Sequence, residues 1–180
     1  NPTDMPFVTP LPGWFYTSVM DTLLNKDTDY YLTAYMHQQV RQLTVKLKLT
    51  GDATEMVENI TAILTGVAGS MDFVRETYSN ASRVSLSFTK GADGYWTATT
   101  RLLGIIGDAQ GFSGSIQYRQ GRLEDTPFTS DLSTQLKGFN EDKKSPLTLD
   151  GELVETATNA GMIATINAWK VVDGGDHIAE

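Results

Sequence analysis

The sequence predicts an all-β fold, an antiparallel sandwich with at most one short helix, and three observations carry that prediction. Apolar and polar residues alternate with period two from Leu43 to Thr50 and again from Val84 to Thr89, the mark of half-buried strands. There are 23 threonines, whose β-branched side chains favour a pleated surface over a helix. Glycine-rich turn signals such as Gly51-Asp52 and Gly91-Ala92-Asp93-Gly94 separate the segments at hairpin spacing.

Residues 1–13 hold four of the six prolines, which leaves them extended with few ladder donors. Trp14–Met20 is β-prone, Asn25–Asp29 reads as a polar loop, and Tyr30–Met36 resumes a strand-like aromatic pattern. The clearest strand buries Leu43, Val45, Leu47 and Leu49 and exposes Thr44, Lys46, Lys48 and Thr50. A second is expected from about Asn59, broken by Gly66 and Gly69 around Val67-Ala68. Val84, Leu86 and Phe88 point inward on the next, and Trp96, Ala98, Thr100 and Leu102 on its hairpin return. Phe112–Tyr118 is a weaker strand, because Gly114 interrupts the inward face. Phe128, Leu132 and Leu136, four apart after a possible Asp131 cap and before Gly138, suggest the one helix. A charged loop over 139–145 follows. Leu147, Leu149, Leu153 and Met162–Val172 supply the closing strands, with Trp169 as a late anchor.

At 180 residues and 19.7 kDa the chain has the size of one domain with a margin. Fourteen basic against 22 acidic residues leave a net charge of −8, which argues against a surface that tracks nucleic-acid phosphates. No run of about 18 apolar residues is present to span a bilayer as a helix. The absence of cysteine removes disulfides, thiolate nucleophiles and thiolate metal ligands together.

The search for reaction chemistry is mostly negative. His37 and His177 each lack a second imidazole at clamp spacing, so both read as structural or solvated. Gly111-Phe112-Ser113-Gly114-Ser115 has no glycine two residues after Ser113 and is not a nucleophile elbow. The acidic pairs Asp27/Asp29, Glu124/Asp125, Glu141/Asp142 and Asp173/Asp176 lack the ligand spacing of a calcium loop. The expectation is a protein without catalysis and without a cofactor. The remaining candidates are aromatic: Trp14, Tyr16, Tyr30 and Tyr31, within a cluster in the first 35 residues, could stack on a glycan or anchor a protein contact. Against this, adjacent rings such as Tyr30-Tyr31 point to opposite faces of a strand, so one of each pair would be core.

Met36-His37-Gln38-Gln39-Val40-Arg41, running into Leu43–Leu47, and then Ala62-Ile63-Leu64-Thr65-Gly66-Val67-Ala68-Gly69-Ser70-Met71 resemble the second domain of the fimbrillin-type surface lipoproteins of Bacteroidales. The run Ile166–Lys170 to Gly174-Gly175 is similar to that family's closing strand and tail. The resemblance covers residues 36–180. It implies a transthyretin-like Greek-key sandwich there, with residues 1–35 as the last strands of a preceding β-domain. It further implies an exported, cell-surface or outer-membrane protein that works in fimbria assembly, anchoring or adhesion and pairs strands with other subunits. Membrane attachment in that family is through a lipidated cysteine, which this sequence does not contain. Asp21-Thr22-Leu23 resembles the acceptor pattern for O-glycosylation of exported Bacteroidales proteins, with Thr22 as the acceptor. A second class of function, a carbohydrate- or host-protein-binding module, stays open, and an exposed aromatic platform with adjacent Asp or Asn would mark it.

Overall fold

The computed structural model describes residues 4–119 and 124–173, with Asp173 described in its backbone only. A two-residue ribbon of β1 (Tyr16–Thr17) and β2 (His37–Gln38) precedes the main sheet. Then come β3 (Arg41–Gly51), a 3-10 turn at Thr54–Met56, β4 (Val57–Asp72), β5 (Thr77–Lys90) and β6 (Tyr95–Leu102). They are followed by β7 (Gly111–Tyr118), β8 (Thr126–Asp131), α1 (Ser133–Leu136), β9 (Leu147–Thr158) and β10 (Gly161–Asp173). The all-β prediction and its single short helix hold.

The sheet order is β10-β9-β3-β6-β5-β4-β7-β8. Between β5 and β6 only Thr89 with Thr97 and Lys90 with Trp96 are paired, at the base of the predicted hairpin. The sheet therefore folds there into two four-stranded halves, with one core between them. Leu43, Val45 and Leu47 of β3 and Leu149 and Leu153 of β9 lie in that core with Ile60 and Leu64 of β4 and Val84, Leu86 and Phe88 of β5. Lys46 and Lys48 stay outside, so the β3 register is the predicted one. The Lys46 ammonium sits 4.5 Å from the centre of the Tyr95 ring and 3.3 Å from the Asp93 carboxylate. Leu49 and Trp169, both expected inside, are half-buried at the margin of the core.

Four expectations need correction. The sheet is mixed, not wholly antiparallel, because β9 runs parallel to β3 from Leu43/Leu147 to Gly51/Glu155. β9 reaches β3 after the chain has traversed β4 to β8 and α1, a crossover long enough to enter in the same direction. β4 is not broken by Gly66 and Gly69: a bulge between Thr65 and Val67 absorbs the irregularity, with Gly66 at φ +75° and its α-carbon against the Ala109 carbonyl. Phe128 belongs to β8 rather than to the helix, and its ring occupies the space that a side chain on Gly114 would fill. Only the last turn of the expected helix forms, Ser133–Leu136, and it is entered from Leu132 without a side-chain cap; Asp131 instead ends β8, where its carboxylate accepts the Ser133 N–H at 2.9 Å. Finally, Tyr30–Met36 is not a strand, and from Trp14–Met20 only Tyr16 and Thr17 pair.

The two edges of the sheet, β8 and β10, approach each other without a backbone ladder. Trp169 of β10 bridges them: its Nε1–H donates to Ser130 Oγ at 2.8 Å, and its ring meets Phe112 edge-on with centroids 5.6 Å apart.

Candidate functional site

Most of the exposed large apolar side chains among the described residues lie on the segment between β1 and β2 and on the residues leading into it. Val19, Met20, Leu23, Leu24, Leu32, Tyr35 and Met36 all face solvent there. The segment is tethered at its two ends. Gln39 N–H donates to the Phe15 carbonyl at 3.1 Å, Gln39 Nε2 to Thr17 Oγ1 at 2.7 Å, and Phe15 packs edge-on against Phe73 at the β4–β5 turn. Upstream, Phe7 bridges to Arg83 of β5, and its ring lies 4.1 Å from the guanidinium. Prolines at 6, 10 and 12 explain why this stretch adds one bridge and not a full strand.

All four predicted aromatics are at the surface, but the structure does not gather them into one platform. Trp14 lies 5.9 Å from the Arg101 guanidinium, Tyr30 Oη accepts the Asn25 N–H at 2.6 Å, and Tyr31 is 97% exposed. Ring contacts among the described residues involve Phe15, Phe73, Phe88, Phe112, Phe128 and Trp169, and none of the four. The opposite-face argument fails for Tyr30-Tyr31 because no strand forms there. Thr22 is exposed between exposed neighbours.

The other chemistry-bearing residues are scattered. His37 sits exposed in β2, and Ser113 stands on the outer face of β7. Asp27 and Asp29 are in a solvent-facing loop, and Asp125 accepts from Gln117 Nε2 at 3.3 Å. Asp142 accepts backbone N–H groups of Lys144 and Ser145, and its contacts with Ser145 hold its carboxyl below the usual range. Among the described residues no three acidic, His or Cys side chains converge on a metal position. His177, Asp176 and the Asp173 side chain lie outside the described residues.

Two polar arrangements had no signal in the sequence. In the first, Arg41 is buried under loop 138–145. Its Nε donates to the Ser145 carbonyl at 2.7 Å and its Nη1 to the Phe139 carbonyl at 2.9 Å, with the guanidinium 5.1 Å from the Phe139 ring. Beside it Lys143 donates to the Leu103 carbonyl and lies 4.9 Å from the Tyr78 ring. Burial, with Arg41 adding to it, pulls the Lys143 ammonium down to about 8. In the second, Glu155 of β9 is buried against Tyr118 of β7. An arginine beside hydrophobic strands and a glutamate in an alternating one read as exposed residues from sequence, so neither could be singled out.

No family model and no curated protein sequence matches the chain. Among solved structures the fold is similar to a candidate adhesin from Bacteroides ovatus ATCC 8483, with a TM-score of 0.52 and 13% identity over 74% of this chain and 52% of that one. It is also similar to another candidate adhesin from Bacteroides ovatus, with a TM-score of 0.51 and 12% identity over 94% and 62%. The fimbrial anchor protein Mfa2 from Porphyromonas gingivalis gives a TM-score of 0.50 and 17% identity over 89% and 58%. The chain thus spans between 52% and 62% of the length of these three proteins. At such identities the likeness is one of fold, and the fold is of the fimbrillin type expected from the sequence.

Proposed function

We propose that the chain is a non-enzymatic part of a cell-surface protein that works in adhesion or in the assembly or anchoring of fimbriae. The observation that carries this reading is the concentration of exposed apolar side chains on residues 14–36, on a chain whose fold is that of solved adhesins and a fimbrial anchor. A surface of this kind marks a contact with another protein surface.

In this reading residues 36–180 form the sandwich domain, and residues 1–35 belong to the end of a preceding β-domain, with Pro6–Val8 laid on β5. Trp14, Tyr16 and Tyr31 then pack on that domain or on a neighbouring subunit. The setting is an exported protein at the outer membrane, attached through a lipid anchor outside the chain described here.

The test is assembly in the producing cell. Tyr31→Asp combined with Leu24→Asp leaves the sandwich untouched, because neither side chain belongs to the core. The variant should fold as wild type by near-UV circular dichroism and disappear from the sheared surface-filament fraction. Recovery of the folded variant in that fraction at the wild-type level would sink the proposal.

A further inference from the structure

Sulfur enters this chain through methionine alone, since the sequence has six methionines and no cysteine. The six differ in setting. Met56 and Met162 pack against the core, and Met5 and Met71 are half-buried. Met20 and Met36 are 49% and 56% exposed, and both belong to the apolar segment between β1 and β2. The ribbon fixes where they stand on that segment. Its last pair is Thr17 with His37, so Met36 directly precedes the pair on one leg and Met20 follows it by three residues on the other. The exposed thioethers therefore flank the neck by which the segment joins the sandwich.

A thioether in this setting has two properties. It is a flexible, polarizable apolar group that adapts to an irregular partner surface. It is also open to two-electron oxidants, and the sulfoxide that results is polar. No thiol in the chain competes for the oxidant. Val19 and Tyr35, which precede Met20 and Met36 in sequence, are exposed apolar residues as well. A sulfoxide at either position thus interrupts the apolar surface at its base.

We propose that Met20 and Met36 are an oxidation-sensitive pair that controls docking of this segment, with hydrogen peroxide as the oxidant and the sulfoxide form unable to dock. The sulfur lone pair attacks one peroxide oxygen and the O–O bond breaks. The departing hydroxide takes the proton from the transferred oxygen and leaves as water. Sulfur is oxidised by two electrons and peroxide reduced by two, so each methionine consumes one peroxide and releases one water. The inference rests on the reading of residues 14–36 as a contact surface and adds the regulation of that surface. A docked partner covers both sulfurs, so oxidation acts on the chain before it docks.

The experiment has two arms. In the first, the purified full chain is treated with dilute hydrogen peroxide and each methionine is followed by peptide mass. Met20 and Met36 should gain oxygen ahead of Met56 and Met162, and oxidation of all four at one rate would overturn the inference. The second arm reads the sheared surface-filament fraction of the producing cell. Met20→Gln with Met36→Gln puts a polar amide where the sulfoxide would stand, and Met20→Leu with Met36→Leu keeps an apolar group that peroxide does not oxidise. Neither side chain belongs to the core, and folding of both variants is checked by near-UV circular dichroism. The glutamine pair should fall roughly tenfold or more below wild type, the loss expected when two buried methionine contacts turn polar. The leucine pair should assemble as wild type, and peroxide given before new filaments form should deplete wild type and spare the leucine pair. A glutamine pair at the wild-type level, or equal depletion of wild type and leucine pair by peroxide, overturns the inference. If Tyr31→Asp with Leu24→Asp is lost from filaments while the glutamine pair remains, the contact surface stands and its oxidative control falls. Retention of both variants removes the contact and its control together.

Discussion

Tyr118 donates its phenolic hydrogen to Glu155 Oε1 across 2.5 Å, and neither residue is open to solvent. The pair links β7 to β9, one strand from each half of the folded sheet. Glu155 Oε2 has no hydrogen-bond partner, and the nearby Asp52 carboxylate adds negative charge. Burial is the largest cause raising the Glu155 carboxyl, and Asp52 adds to it, against the lowering contacts from Tyr118 and the Ala53 amide. Burial likewise pushes Tyr118 up to about 12, so the phenol keeps its proton and the carboxyl is the group that titrates.

The sign of the consequence follows from linkage. With its pKa raised on folding, Glu155 holds its proton more tightly in the native state than in the unfolded one. Above the unfolded value of about 4.5 the native state therefore binds more protons, and stability falls as pH rises through the window up to the native pKa. Glu155→Gln keeps an acceptor for Tyr118 and removes the charge. Urea unfolding should show the variant more stable than wild type at pH 8, by about 1–3 kcal/mol, with the difference shrinking toward pH 4.5. An equal difference at both pH values would show that ionisation of Glu155 is not what costs stability.

Leu47 sits fully buried at the centre of β3, between Trp96 of β6 and Gly151 of β9. Leu47→Ala should cost about 2–5 kcal/mol in chemical unfolding, since both neighbouring strands fix the backbone and limit collapse into the cavity. A loss under 1 kcal/mol would mean that the core closes over the gap.

What was legible in the sequence follows from which forces act locally. Strands β3, β5 and β6 were readable because one face is buried and the other wet, so burial itself writes the period-two pattern. β4 carries the same pattern, but its bulge at Gly66 is fixed by a contact with Ala109 more than forty residues away, and the glycine read as a stop. The parallel β3–β9 pairing leaves no local trace, because Leu147 and Leu149 alternate alike in either direction. Tyr30–Met36 has strand composition without a strand, since composition reports what a segment can pack against and not whether a partner sheet is present. The aromatic candidates were found by type. Lys143 and Glu155 were not, because their unusual environments are assembled from loops and strands far apart in sequence.

Thr22 is exposed and so are Asp21 and Leu23, so the tripeptide is open to a modifying enzyme. We propose O-glycosylation at this hydroxyl. Native protein should then carry mass beyond that of the 19.7 kDa polypeptide, and Thr22→Ala should remove it. A native mass equal to that of the polypeptide rejects the assignment.

Residues 18–35 make few of the contacts that resist opening. The ribbon that ties them down has two residue pairs, Tyr16 with Gln38 and Thr17 with His37. Two-stranded ribbons are marginal in water unless a further layer covers them. No such layer lies over this segment among the described residues, and Leu23 and Tyr31 are each close to nine-tenths exposed or more. Leu43–Leu49, by contrast, is bonded on both sides, to β6 and to β9, and its side chains enter the core. Amide exchange should therefore place residues 18–35 near the rate of an unstructured peptide, while amides of Leu43–Leu49 exchange only through global unfolding. Addition of the preceding domain or of a neighbouring subunit should slow the first set and leave the second unchanged. Equal protection of both sets in a monomeric sample would instead make the N-terminal segment an integral layer of the sandwich, and the reading of it as a contact surface would fall.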